Sequence, residues 1–190
     1  MIEKSPLLKK IVDGISNYKP KKLDIYGLID SAVLVPIIDE SLIFIKRTMT
    51  VKDHKGQIAF PGGVMEEGES PEDTALREAQ EEIGINPKST KIIGFLDDTV
   101  TVAGYLIHPV VALVDKDDFN PKINEKEVEE LIILPIKKII TSEYIEGGRL
   151  RWEFHIGDVI VWGATARILK NFLEISGLKK FEDSSANKIL

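Results

Sequence analysis

Hydrophobic positions change their spacing several times along the chain, and each change marks an element. Leu7, Leu8, Ile11, Val12 and Ile15 recur at helical intervals, so residues 5–17 read as an amphipathic helix. The lysine-rich stretch Lys19-Pro20-Lys21-Lys22 reads as a solvated linker. Ser31 to Ile38 and Ser41 to Thr48 are β-rich runs around Asp39-Glu40, the pattern of a hairpin. Gln57 to Phe60 predicts a short strand ended by Pro61-Gly62-Gly63. Pro71 to Ile83 predicts a helix, with Ser70 as its N-cap, Pro71 at its first position and Gly84 as its stop. Further strands are expected at Lys91 to Leu96, Tyr105 to Val114, Leu131 to Leu134, Leu150 to Phe154 and Val159 to Trp162. Ala164 to Ile175 predicts a closing helix, with Ala166, Ile168, Leu169, Phe172 and Leu173 on its apolar side. Mixed strands with few helices, some joined by hairpins, indicate an α/β sandwich rather than a regular doubly wound sheet.

Composition narrows the function classes. A chain of 190 residues suits one domain with decorated ends. It has no cysteine, which excludes disulfides, thiolate zinc sites and thiol nucleophiles. No Gly-x-Ser-x-Gly elbow supports a covalent hydrolase. The formal charge of −6 disfavours nucleic acid as a partner, so an anionic small substrate needs local cations from side chains or metal. No apolar run approaches the roughly 20 residues of a membrane span. Met1-Ile2-Glu3-Lys4-Ser5-Pro6 lacks a signal-peptide core, and Lys188-Ile189-Leu190 is not the peroxisomal address. The expected compartment is the cytoplasm.

The strongest chemical signal lies in the helix from Pro71. Glu78, Glu81 and Glu82 stand at i, i+3 and i+4, so their carboxylates project from one face, beside Leu76, Ala79 and Ile83 on a face that can be buried. Like charges at this spacing repel, and a divalent cation turns the repulsion into ligation. Three glutamates alone also fit an exposed acidic face. The preceding Pro61-Gly62-Gly63 turn, and Glu69 placed where Arg77 can pair with it, favour a built site.

Gly63, five residues, Glu69, seven residues, then Arg77-Glu78-Ala79-Gln80-Glu81-Glu82-Ile83-Gly84-Ile85 resembles the Nudix box at every defined position. The resemblance implies a Nudix-type α/β/α sandwich with a mixed β-sheet. It divides the chain into an N-terminal helix and linker (1–22), a Nudix hydrolase domain (23–178) and a polar tail (179–190). It further implies that Glu78, Glu81 and Glu82 hold Mg2+ or Mn2+, with the Gly62 carbonyl as a further ligand. Glu78 or Glu81 would be general base, and Arg77 and Glu69 a structural ion pair. The family often adds an acid from a distant loop; Glu127 is the candidate, with Glu125, Glu129 and Glu130 as competitors. The family also often pairs through its strands, so a homodimer is an open expectation.

Substrate choice lies outside the box. Arg47, Lys52, His54 and Lys55 form a local positive cluster just ahead of it, suited to a phosphate beyond the scissile diphosphate or to an ordinary charged loop. Arg47, Gly56 and Phe60-Pro61-Gly62-Gly63 are similar in spacing to the signature of the coenzyme A pyrophosphatase branch. Ile43-Phe44-Ile45, Thr48 and Lys52 depart from it, and Lys52 keeps the charge but loses the bidentate fork of arginine. Leu96-Asp97-Asp98, Gly104-Tyr105, Pro109-Val110-Val111 and Val161-Trp162-Gly163-Ala164-Thr165-Ala166 extend the resemblance across residues 32–170. It implies hydrolysis of coenzyme A or its thioesters to 3′,5′-ADP and 4′-phosphopantetheine, with Arg47, Lys52, His54, Gly56 and Phe60 binding substrate. The alternatives are a pyrophosphatase for ADP-ribose or another nucleoside diphosphate derivative, and a silent nucleotide-sensing module. His54 suits a phosphate contact or its own turn equally; His108 and His155 read as structural, and Trp152 and Trp162 as core or pocket-wall residues, with the core preferred.

Overall fold

The computed structural model describes residues 5–49, 56–147 and 152–181. Helix α1 (Pro6–Ser16) begins at Ser5, whose hydroxyl accepts the Leu8 N–H at 3.1 Å, and it buries Leu8, Ile11 and Ile15. Strands β1 (Ile29–Ile38) and β2 (Ser41–Arg47) form the expected hairpin, with Asp39 in the left-handed region (φ 50°) that aspartate tolerates. Then come β3 (Ile58–Ala59), β4 (Gly62–Val64) and α2 (Pro71–Ile83). A capping box starts α2: the Ser70 hydroxyl accepts the Asp73 N–H and the Asp73 carboxylate accepts the Ser70 N–H, while Gly84 ends the helix at φ 74°. The chain continues through β5 (Thr90–Phe95), β6 (Thr99–Val100), β7 (Tyr105–Val114), β8 (Val128–Pro135), α3 (Ile136–Thr141), β9 (Glu143–Glu146), β10 (Trp152–Ile156), β11 (Val159–Trp162) and α4 (Gly163–Ile175).

The main sheet runs β3-β2-β1-β7-β5, with β4 also on β1, β6 on β7 and β8 on β2. β1 and β7 are parallel, from Ile29 opposite Tyr105 to Ile38 opposite Val114, and the other pairings are antiparallel, which makes the sheet mixed. Because side chains alternate along a strand, the sheet has two apolar faces. Ala32, Leu34, Ile43, Ile45, Val110 and Ala112 meet Ala75, Ala79 and Ile83 of α2. Val35, Ile37, Leu42, Phe44 and Val111 meet a second layer made of α1, α4 and a small antiparallel sheet, β11-β10-β9. The α/β sandwich with a mixed sheet that the sequence implied is the observed architecture.

Two expectations change. Gly62 and Gly63 are not only a turn after β3; they form β4, paired with β1 at Val33 and Ala32. A Cβ on Gly62 would sit 2.3 Å from the Ala32 carbonyl oxygen, so only a residue without a side chain reaches β1 this closely. The linker after α1 has exposed side chains but a tethered backbone. Asp97 accepts the Tyr18 hydroxyl and the Lys21 N–H, both at 2.8 Å, and buried Asp98 accepts the Leu23 N–H at 2.8 Å and pairs with His108 Nδ1 at 2.9 Å. β6, α3 and β9 were not foreseen: each is too short to display a period.

On the small sheet, Trp152 stacks on Tyr144 at 5.5 Å and meets the edge of Phe181 at 5.3 Å, while Lys170 lies 5.1 Å above the Trp152 ring. Phe181, within the expected polar tail, is thus packed. Among the described residues no helix is long and apolar enough to cross a membrane.

Gly14 sets the approach of α1 to the end of α4: a Cβ there would lie 2.6 Å from the Ile175 carbonyl oxygen and 2.9 Å from Ser176 Cα. Helix propensity favours alanine over glycine by about 1 kcal/mol, whereas overpacking against backbone costs about 1–3 kcal/mol. Gly14→Ala is therefore expected to lower the melting temperature by a few degrees, at roughly 2–4 °C per kcal/mol. A raised melting temperature by circular dichroism would mean that the two helices do not meet here.

Candidate active site

The site grows from the contact between α2 and the β1–β4 pair. A Cβ on Gly63 would fall 2.4 Å from the Glu78 carboxylate, so the bare backbone of β4 lets that acid lie against the strand. One helical turn on, Glu82 is buried at 1% exposure. Its carboxylate accepts the Gly62 N–H at 3.0 Å through Oε2 and an Arg47 N–H through Oε1, with Nη1 at 3.1 Å. Burial pushes the Glu82 carboxyl up to about 8; Arg47 and the Gly62 amide oppose that shift, and the negative charges of Glu78 and Glu127 add to it. Burial likewise raises the Glu78 carboxyl, against Arg77.

The expected ion pair is present and bidentate. Arg77 Nε lies 2.7 Å from Glu69 Oε1, and Nη2 lies 3.0 Å from Oε2. Glu69 also accepts the Thr74 hydroxyl at 2.6 Å and the Glu66 N–H at 3.0 Å. Arg77 reaches on to the Val64 carbonyl at 3.2 Å and to Glu78 Oε1 at 2.7 Å, fastening α2 to β4. The fork holds the Glu69 carboxyl down to about 2, with Thr74 and the Glu66 amide contributing.

The three glutamates, expected on one face of the helix, are not equivalent. Glu82 is buried and the Glu78 side chain is 16% exposed, but that of Glu81 is 59% exposed and lies 3.7 Å from Arg77. Helix spacing places the three within one arc; packing against β4 decides which of them goes under.

These groups open onto a cleft of about 1240 Å³, larger than the roughly 300–1,000 Å³ of ordinary small-molecule sites. Glu78, Glu82 and Glu127 line it, as do Arg47 and Phe60. Of the four distal acids considered, Glu127 alone lines the cleft; Glu129 pairs with Lys46 at 2.6 Å, and Glu125 and Glu130 are exposed. Asn124 holds Glu127 Oε1 at 3.3 Å and donates its own N–H to the Glu82 carbonyl at 2.9 Å, tying this loop to the end of α2. Phe60 is 3% exposed and stacked on Phe44 at 4.6 Å, so it serves the core as well as the cleft wall. Gly56, at φ 65°, closes a turn through its N–H to the Arg47 carbonyl. Lys52 and His54 lie outside the described residues.

The chemistry of the donors fits a hard divalent cation: carboxylate oxygens only, with the charge of Glu127 close enough to raise the carboxyls of both Glu78 and Glu82. As they stand, no group of three such side chains among the described residues is gathered tightly enough to hold an ion. Arg47 and Arg77 occupy carboxylate oxygens that a cation would take.

The far wall of the cleft was missed by sequence reasoning. Thr101, Val102 and Ala103 after β6 contribute to it, with Trp162, Thr165 and Arg167 around the start of α4. Trp162, for which the core was preferred to a pocket wall, is 48% exposed on the cleft rim, while Trp152, at 5%, is core and wall together. A basic residue between Ala166 and Ile168, both buried, was the available clue to Arg167.

The Nudix domain family model matches residues 28–152. Over 160 residues the chain is 38% identical to a Pectobacterium atrosepticum protein named uncharacterized Nudix hydrolase NudL, covering 77% of this chain and 82% of that one. It is 32% identical over 171 residues to the chloroplastic Nudix hydrolase 22 of Arabidopsis thaliana, covering 80% of this chain and 54% of that relative, or about half its length. A crystal structure of a MutT protein from Methanosarcina mazei Go1 aligns with a TM-score of 0.54 at 16% identity, over 81% of this chain and 96% of that one, a likeness of fold alone.

Glu69 sets a pH dependence of stability. Its carboxyl is depressed to about 2 from an ordinary 4.5, so the stabilisation is complete above about 4.5 and is lost as pH falls through about 2. Glu69→Gln is expected to melt below the parent at neutral pH, with a gap constant above about pH 5 that closes between about 4.5 and 2. A gap independent of pH over that range would contradict the depressed carboxyl.

Proposed function

The chain belongs to the Nudix hydrolase family, and within that family we propose that it is a coenzyme A diphosphatase, cleaving coenzyme A or its thioesters to 3′,5′-ADP and 4′-phosphopantetheine. The observation that carries this reading is one cleft in which the acids of α2 meet Arg47 and Phe60, residues of the segment that resembles the coenzyme A branch. The cleft's size suits a long substrate with several anionic groups.

In this reading Glu78, Glu81 and Glu82 hold Mg2+ or Mn2+ together with the Gly62 carbonyl, and Glu127 adds a carboxylate from the distal loop. The bound cation supplies charge neutralisation at the diphosphate and a more acidic water. Glu78 lines the cleft whereas Glu81 faces solvent, which favours Glu78 as the group that takes the proton of the attacking water. Arg77 and Glu69 position Glu78 by locking α2 onto β4. Arg47 orients the Glu82 carboxylate and, lining the cleft, is placed where it would face substrate phosphate.

Incubating the chain with coenzyme A and Mg2+ is expected to release 3′,5′-ADP and 4′-phosphopantetheine, identified by mass. Turnover of ADP-ribose with none of coenzyme A or dephospho-coenzyme A would defeat the substrate assignment. Chelation of the cation should abolish turnover and added Mn2+ or Mg2+ restore it. Glu82→Gln should lower kcat by more than the roughly 10–100-fold typical of losing an outer-shell partner, without unfolding. A variant of parental activity would refute the metal assignment.

A further inference from the structure

The far wall of the cleft carries apolar side chains that the core does not use. Strand β11 alternates, so Val161 is buried while Ile160 and Trp162 share the outward face. Among the described residues the half-exposed Trp162 ring stacks on no other ring, and no hydrogen bond engages its Nε1–H. Trp152, by contrast, is stacked on Tyr144 and Phe154. Val102, in the turn between β6 and β7, is 96% exposed and lines the same cleft as Trp162. Single exposed apolar residues are ordinary on any surface. These two instead share one concave wall with Ala103, Ala164 and Ile168, an arrangement that marks a ligand surface.

Charge tells which end of a substrate this wall suits. Arg47 stands on the acid side, 3.1 Å from Glu82, in the segment suited to substrate phosphate. Trp162 is paired across the small sheet with Glu153, whose carboxylate meets His155 Nε2 at 2.6 Å and also lines the cleft. Arg167 is bonded to the Val100 carbonyl and fastens the wall to β6. A phosphate brought beside Glu153 would be repelled, whereas an uncharged chain loses nothing there. A nucleobase would cover the indole as well, but it would draw the phosphate-bearing end of the substrate towards Glu153 and away from Arg47. Ile160 continues the apolar surface along the outward face of β11, as an extended hydrocarbon chain requires. Each methylene that such a chain withdraws from water is worth about a factor of four in affinity.

We propose that this wall seats the acyl chain of a thioester substrate, with Trp162 and Val102 as specificity-determining residues. Acyl thioesters of coenzyme A, rather than the free thiol, are then the preferred substrates. This rests on the coenzyme A reading and divides the cleft accordingly. The diphosphate lies at the acids of α2, the nucleotide end lies towards Arg47, and the acylated arm lies along Trp162. The thioester bond itself is not cleaved.

The test uses the full chain with Mg2+ and measures KM and kcat for coenzyme A and its acetyl, butanoyl and hexanoyl thioesters. Titration calorimetry beside it compares 4′-phosphopantetheine with S-hexanoyl-4′-phosphopantetheine, neither of which contains a diphosphate to cut. In the parent chain KM should fall as the acyl chain lengthens, by up to about fourfold per methylene, with kcat changing far less. S-hexanoyl-4′-phosphopantetheine should bind about 10- to 100-fold more tightly than the unacylated product. Trp162→Ala should flatten the dependence on chain length, and Trp162→Phe should keep most of it. Val102→Ser, at a fully exposed turn, should reduce the dependence in part and decides the matter if Trp162→Ala does not fold. A parent chain indifferent to acyl length would overturn the proposal. So would a dependence unchanged in both Trp162→Ala and Val102→Ser, or an equal loss for free and acylated ligands. If the acylated product binds more tightly through Trp162 yet neither coenzyme A nor its thioesters are cut, the acyl seat stands and the substrate reading falls.

Discussion

A carboxylate buried in the last turn of a helix has to be answered by the structure around it, and three elements converge on Glu82, two of them on its carboxylate. Arg47 comes from the end of β2, the Gly62 amide from β4, and the Asn124 amide ties the loop before β8 to the Glu82 carbonyl. An uncompensated charge here would cost several kcal/mol, so these segments are held in register by electrostatics as much as by apolar contact. The β-bulge where β2 passes β8, between Lys46 and Arg47, lies at the same place. Arg77 performs the equivalent task one turn earlier, joining Glu69, Val64 and Glu78. Fold and site therefore share their fasteners, and a lesion at either arginine disturbs both.

Much of this was legible in the chain itself. The helical period of α1, α2 and α4 survives folding because each buries one stripe, and the Ser70 cap fixed the start of α2. The acid helix and the Glu69–Arg77 pair followed from a motif whose spacing is set by local geometry. Other features depend on what lies across the sheet, and no local pattern carries that. Glu81 and Glu82 are adjacent in sequence and of the same type, yet one is solvated and the other sealed beneath β4. Gly62 and Gly63 signal a turn by composition but become a strand because a bare backbone can approach β1 and Glu78. Glu127 was the candidate among four similar acids, and what sets it apart from the other three, a place on the cleft wall and a bond to Asn124, lies outside any local pattern. Arg167 was hidden in an otherwise apolar helix stripe.

The cleft joins two regions of different character. Its acid side lies in residues 28–152, the span shared with the family, and rests on backbone approaches that admit only glycine. Its far wall comes partly from β11 and α4, beyond that span, and is fastened by the Arg167 side chain to the Val100 carbonyl of β6. Such an arrangement lets the second wall vary without disturbing the first, because α4 and α2 pack on opposite faces of one sheet.

The two tryptophans fall on either side of that division of exposure. Trp152 is enclosed by Tyr144, Phe154 and Phe181 with Lys170 above its ring, whereas Trp162 stands half open at the cleft rim. They are the only indoles in the chain. The molecule consequently carries two optical reporters of separate events: emission from the enclosed ring follows loss of the packed layer, and that from the rim, within reach of dissolved quenchers, follows occupancy of the cleft. Replacing either with phenylalanine isolates the other, so unfolding and ligand entry become separately visible without an attached dye.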